Sequence, residues 1–140
     1  MSAVLDFEKL KVFEMVYKSD LNTDFGDEIS PILGVEVAVK DDDIYSGLVK
    51  LSIRFGDEKE LPYLNVTVAG VFKLNSKIEL TEEQVTDYYE INATAILFPY
   101  LRSIVTDLTS KGDESPIVLP PINVHAYITN QRNKNKLSKA

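Results

Sequence analysis

A chain of 140 residues with 44% hydrophobic and 26% charged side chains has the size and composition of one globular domain, which excludes wholesale disorder and leaves no need for a second domain. It has no cysteine and one histidine, His125, so disulfides, thiol catalysis, cysteine-ligated zinc and multi-histidine metal sites are excluded together. The 15 basic and 22 acidic side chains leave a formal charge of −7, which repels nucleic acid and anionic lipid. The start carries Asp6 and Glu8 where a secretory signal needs basic residues before an apolar run. The longest nearly apolar stretch, 93–101, is far short of the ~20 residues that span a bilayer. The sequence thus predicts a cytoplasmic protein without membrane insertion.

In chain order, Phe13, Met15, Tyr17, Leu21 and Phe25 alternate with Glu14, Lys18, Asp20, Asn22 and Asp24, predicting a first strand over 12–25 with one buried face. Residues 26–34 combine Pro31 with Ile29, Ile32 and Leu33, the composition of a packed crossing loop. Val35, Val37 and Val39 mark a second strand that ends at the turn-favouring acids Asp41, Asp42 and Asp43. Strands three and four follow as a hairpin. Val49, Leu51, Ile53 and Phe55 alternate with polar residues, 56–60 turn the chain, and Leu64, Val66, Val68, Phe72 and Leu74 share one face of the return. No helical period precedes residue 80, so one antiparallel sheet is expected, its second face mixed in polarity and covered by something else.

Thr81 to Gln84 has the spacing of a capping box and predicts a short helix or turn. Leu97, Leu101, Ile104, Val105 and Leu108 recur at helical spacing and predict a long helix over 96–111, with Pro99 in its first turn and Gly112 as its stop. Prolines 116, 120 and 121 make 112–121 a loop, with Ile117, Val118 and Leu119 extended on the core. Asn123 then caps a shorter helix that carries Val124, Tyr127, Ile128 and Gln131 on one side and is stable only when docked. The fold class is α+β: a four-stranded antiparallel sheet followed by a long helix and a shorter C-terminal helix. The domain is expected to span 1–131. Beyond it, Arg132, Lys134, Lys136 and Lys139 make 132–140 a basic tail that frays or docks on an acidic partner.

Catalysis finds no constellation here. His125 has no orienting carboxylate near it in sequence, the Asp41 to Asp43 run lacks the glycine and glutamate of a calcium loop, and the glycines are too scattered to cradle phosphate. The chain therefore reads as no enzyme, with no cofactor and no metal. Asp20 and Asp24, four apart on the expected strand, share a face and form either an acidic docking patch or a solvated edge. Phe25, Ile29, Ile32 and Leu33 are either core or the wall of a groove.

The run Ile96-Leu-Phe-Pro-Tyr-Leu-Arg-Ser-Ile-Val, followed by Leu119-Pro-Pro-Ile-Asn-Val, resembles the SecB family of bacterial protein-export chaperones, with its Ile-Leu-Phe-Pro-Tyr-x-Arg helix start and Leu-x-Pro-Val/Ile-Asn loop. Ala69-Gly-Val-Phe resembles the end of that family's fourth strand, and 17–24 its first. The resemblance implies ATP-independent holding of unfolded preproteins, delivery to the motor SecA, and a homotetramer built as a dimer of dimers. By position it implies client contacts at Phe25, Ile29, Ile32, Leu33, Tyr127 and Ile128, SecA docking at Asp20 and Asp24, and a helix layer between sheets formed by Leu97, Leu101, Ile104 and Leu108. A family acid on the fourth strand is replaced near Asn65, and the C-terminal tail is basic. SecB-like chaperones also hold antitoxins beside toxin–antitoxin pairs. From another class, a small-molecule binding module with a closed apolar pocket fits the same pattern.

Overall fold

The structure, a computed structural model, describes residues 4–23, 25, 30–40, 42–111 and 116–138, with side chains as far as Asn135. Strands β1 (Leu5–Lys18), β2 (Ile32–Lys40), β3 (Asp43–Asp57) and β4 (Glu60–Leu74) form one antiparallel sheet in the order β1-β4-β3-β2. The expected fold class is what the chain adopts, and several element bounds move. The β3–β4 hairpin is the centre of the sheet because its alternation is unbroken. Val49, Leu51, Ile53 and Phe55 stand opposite Gly70, Val68, Val66 and Leu64, all on one buried face. At the turn Gly56 adopts φ 77°, where an added Cβ would lie 2.6 Å from the Pro62 carbonyl oxygen. The Asp57 carboxylate accepts the Lys59 N–H at 2.9 Å. Asp42 and Asp43 lie at the β2–β3 reversal as expected, while Asp41 falls outside the described residues.

β1 corrects the sequence reading at both ends: it begins at Leu5 rather than Val12 and stops at Lys18 rather than Phe25. The start is hidden by a pair of β-bulges, between Phe7 and Lys9 and between Val12 and Glu14, and the strand ends where Asp20 accepts the Asn22 N–H and the Thr23 hydroxyl in a turn. Each bulge inserts a residue and flips the parity of the side chains that follow. Leu5 and Phe7, then Leu10 and Val12, then Met15 and Tyr17 stand opposite the buried face of β4. A single odd-numbered stripe does not exist. β2 likewise starts early, at Ile32, so Ile32, Leu33 and Gly34 pair with Arg54, Ile53 and Ser52 instead of lying in the crossing loop. β1 and β2 lie at opposite edges of the sheet, and residues 24 and 26–29 between them, the latter in the expected crossing loop, lie outside the described residues.

The capping box forms as read: Thr81 Oγ accepts the Gln84 N–H at 3.1 Å and the Gln84 side chain accepts the Thr81 N–H at 2.9 Å. The helix it starts does not stop. α1 (Glu82–Asp87) runs through a π-helical turn (Tyr88–Asn92) into α2 (Ala93–Ser110), so the short and long helices are one continuous run. Pro99 therefore sits inside a helix and not in its first turn. Ala95, whose carbonyl it leaves without a partner, is exposed like Pro99 itself, so water can take that bond. The expected stop, Gly112, lies outside the described residues. α2 lays Leu97, Leu101 and Val105 across β3, β4 and β1, closing the core.

The return segment is pinned to α2 by polar contacts. Thr109 Oγ accepts the Ile117 N–H at 2.8 Å, Thr106 Oγ donates to the Ile117 carbonyl at 2.9 Å, and Arg102 Nε donates to the Leu119 carbonyl at 2.8 Å. Asn123 caps α3 (Val124–Ser138) by accepting the Ala126 N–H at 3.0 Å. α3 continues to Ser138, so the stretch expected to fray from residue 132 is helical there and Arg132 is held in ion pairs. Among the described residues no helix is long and apolar enough to cross a membrane.

Candidate functional site

β2 is an edge strand that α2 does not roof, and this is what opens a groove. The inward side chains Leu33, Val35, Val37 and Val39 lie opposite Ile53, Leu51, Val49 and Gly47, yet all four keep part of their surface exposed. The wall facing them is built from the π-helical turn and α3. Tyr127 of α3 donates its hydroxyl to the Leu33 carbonyl at 2.9 Å, and Ile128 beside it is buried. Arg132, one turn on, donates Nε to Glu90 at 2.9 Å and Nη1 to Asp87 at 2.9 Å, with a second short contact to Glu90. α3 is thereby tied to β2 at one end and to the helical run at the other.

Two open hollows line this edge. One of about 340 Å³ is walled by Leu33, Val35, Val37, Tyr127 and Ile128 together with the polar Glu90, Gln131, Arg132 and Asn135. The other, about 440 Å³ and more apolar, lies among Val37, Val39, Ile44, Leu80, Val85 and Tyr89. Val37 and Glu90 border both, so the two hollows are neighbours along β2 and are together called the trough. From Leu33 to Val39 a strand advances about 20 Å, enough for an extended segment of about six residues. The open trough does not match the closed pocket of a small-molecule module.

The ionisable groups here are set for structure. Burial, with the Asp43 charge as a lesser cause, pushes the Tyr89 phenol up to about 12, and its hydroxyl donates to the Ile44 carbonyl at 2.7 Å. Burial also raises Tyr127, against a lowering hydrogen bond with Gln131. The Glu90 hydrogen bond, ahead of Asp87, holds Arg132 further above its ordinary value. Both phenols are neutral and Arg132 is charged at pH 7. Among the described residues no group of three or more His, Cys, Asp or Glu side chains is placed to hold a metal ion.

Of the residues expected at a client site, Leu33, Tyr127 and Ile128 come together in the trough. Phe25 does not: it packs between Tyr17, 6.2 Å away, and Phe55, 5.9 Å away. Ile32 points to the opposite face of the sheet, because it precedes Leu33 on a strand, and is 56% exposed. Ile29 and Asp24 lie outside the described residues. Asp20 follows the end of β1, so it shares no strand face with Asp24. It is exposed, and its carboxylate accepts the Thr23 hydroxyl at 2.8 Å and the Asn22 N–H at 2.9 Å, which hold it below the usual carboxylate range. Leu97 and Leu101, expected in the layer between subunits, are fully buried in this chain's own core and keep no surface for a partner. Ile104 and Leu108 are half-buried. Sequence reasoning missed Val37, Ile44, Leu80, Val85, Tyr89, Glu90 and Arg132. The available signal was the Val35, Val37, Val39 alternation, whose meaning depends on β2 lying at an edge.

A sequence model described as "SecB: Preprotein translocase subunit SecB" matches residues 12–135. An uncharacterised protein of Methanocaldococcus jannaschii is 37% identical over 84 residues, 57% of this chain and 52% of that protein. The protein-export protein SecB of Wolbachia pipientis subsp. Culex pipiens is 32% identical over 111 residues, 79% of this chain and 59% of its own length. The chain thus spans little more than half of either relative. Among solved structures, a SecB-like chaperone of Mycobacterium tuberculosis, in complex with a ChAD peptide from the HigA1 antitoxin, superposes with a TM-score of 0.67 at 19% identity, covering 84% of this chain and 89% of that one. The matched span takes in the whole sheet from β2 onward, the helical run and most of α3, the elements that build the trough; the chain belongs to the SecB family.

Proposed function

We propose that this chain is an ATP-independent holdase of protein export, keeping unfolded preproteins from aggregating by laying their extended apolar segments in the trough between β2 and α3. The observation that carries this is the row of partly exposed apolar side chains Leu33, Val35, Val37 and Val39 along an open edge strand, with Ile128 at one end and Leu80 and Val85 at the other. No chemical step is needed. Covering about 1,000 Å² of apolar surface gives roughly 25 kcal/mol gross at about 25 cal/mol per Å², most of it offset by ordering the client. The net result is broad affinity of low specificity.

The same reading takes the protein as cytoplasmic, assembled as a dimer of dimers and handing its clients to the Sec translocase. Val12, Phe13 and Met15, 38%, 46% and 54% exposed at the β1 edge, supply apolar surface for a second copy. SecA docking at Asp20 would compete with the turn contacts that its carboxylate accepts from Asn22 and Thr23. A second reading, care of an antitoxin beside its toxin, is favoured by the ChAD peptide bound to the Mycobacterium tuberculosis chaperone.

The test is light scattering of a denatured precursor diluted into a stoichiometric excess of the protein without ATP. Aggregation should be suppressed, and Val37→Asp combined with Tyr127→Asp should abolish suppression while the far-UV spectrum stays native. Suppression that survives both changes overturns the trough as client site. An export precursor and an antitoxin run side by side separate the two readings.

A further inference from the structure

The apolar lining of the trough is interrupted by charge where its two hollows meet. On the β2 face turned to the helices, Leu33, Val35, Val37 and Val39 stand opposite Ile53, Leu51, Val49 and Gly47. Leu33, Val35 and Ile128 line the smaller hollow, and Val39, Ile44, Leu80 and Val85 line the larger. Of the lining residues Val37 and Glu90 alone border both, so the neck between the hollows is made of one valine and one carboxylate.

That carboxylate is held in place. Glu90 Oε2 accepts Arg132 Nε at 2.9 Å and is in a second, short contact with Nη2, while Nη1 of the same guanidinium donates to Asp87 at 2.9 Å. The Arg132 and Glu90 side chains are 36% and 33% exposed, so water still reaches the pair. An apolar client side chain pressed over the neck strips that water from two charges, and this cost offsets the gain from burying it on Val37. A small polar side chain leaves the pair hydrated and incurs no such cost.

The spacing of the two apolar hollows is set by β2. Val35 in the smaller and Val39 in the larger are four residues apart on one strand face, about 13 Å. An extended client advances by the same distance per residue and turns alternate side chains to the same side. Two of its side chains therefore enter the two hollows together when they too are four residues apart. At three or five apart the second one points away.

We infer that the trough, on the holdase reading from which this follows, selects extended client segments that carry two large apolar side chains four residues apart with a small polar residue midway between them. The Glu90–Arg132 pair sets this preference, because it makes the middle position unfavourable for an apolar side chain.

The experiment is fluorescence anisotropy with the full chain and short labelled peptides of serine and glycine that differ only in their leucines. Two leucines four apart should bind roughly tenfold more tightly than one leucine, or than two leucines three or five apart. A third leucine midway should gain less than about twofold, whereas an uninterrupted apolar groove would gain roughly another tenfold. In Glu90→Leu with Arg132→Met, checked for a native far-UV spectrum, the third leucine should recover that gain. Equal binding at spacings of three, four and five, or a full gain from the third leucine in the unaltered protein, overturns the inference and leaves client holding intact. So does failure of the four-spaced pair to bind while a denatured precursor is still kept from aggregating. Failure of every peptide together with unsuppressed aggregation of the precursor brings down the holdase reading and the preference with it.

Discussion

The central β3–β4 hairpin and the outer strand β2 carry the same alternating pattern and meet different fates. Inward residues of β3 from Val49 to Phe55 are at most 2% exposed, whereas Val37, paired directly with Val49, is 36% exposed. The difference is cover: α2 reaches over β3, β4 and β1, and β2 is left with the π-helical turn and a docked α3. Burial is thus concentrated in the hairpin, and the proposed client binding falls at its flank. A substitution should report which of the two regions it belongs to by whether it moves global unfolding or only client affinity.

The largest effect is expected in the hairpin. Phe72 is fully buried and stacked on Phe7 with ring centroids 5.1 Å apart, so Phe72→Ala leaves a cavity worth about 3–5 kcal/mol in denaturant unfolding. Val37→Ala, its counterpart on the flank, should cost under about 1 kcal/mol while weakening client binding. Equal costs for the two would erase the contrast. Next comes the seam between the regions. A Cβ on Gly47 would lie 2.5 Å from the Tyr89 ring, which is buried and anchored to the Ile44 carbonyl. Gly47→Ala should cost about 1–3 kcal/mol, read as a lower melting temperature, because ring and strand cannot both stay in place.

What could be read from residue order follows the same division. The hairpin, the Thr81 capping box and the Asn123 cap were legible because each is a local pattern that nothing interrupts. β1 was not, because two bulges break its parity, so Leu5, Leu10 and Met15 never fall on one stripe. The helical run was read in two pieces because the wide turn at 88–92 shifts its period and Pro99 suggested a beginning. Leu33, Tyr127 and Ile128 were grouped by the family resemblance, and the fold brings them together at one hollow. Glu90 and Arg132 were not, since only the tertiary fold brings residues so far apart in sequence into contact.

On the flank itself, Arg132→Gln removes the tie between α3 and the helical run. The guanidinium side chain is 36% exposed and screened by solvent, so about 1 kcal/mol or less is expected. Global melting should barely move, while amide exchange of α3 quickens and client affinity becomes less sensitive to salt. A melting temperature that falls as far as in Phe72→Ala would place α3 in the cooperative core and not at a movable wall.

The smallest effect at neutral pH, and a chemical reading of the same contrast, is the titration of the two tyrosines. Tyr89, 1% exposed at the seam, has its phenol raised from 10.0 to about 12, and Tyr127 on the flank is raised with burial as its main cause. A folded value above the unfolded one means that the neutral phenol is the form the fold favours. The stabilisation is fully present below pH 10 and is lost as pH rises from 10 towards 12. Nothing changes near pH 7, so the measurement is phenolate absorbance followed together with melting temperature from pH 9 upward. Tyr89→Phe should remove the raised phenol and flatten the alkaline fall in melting temperature. Subtracting Tyr127→Phe should leave most of that fall in place, because its ring stands at an open trough. Were Tyr89 to ionise near pH 10, the seam would be wet and the hairpin would not be the sealed region its burial implies.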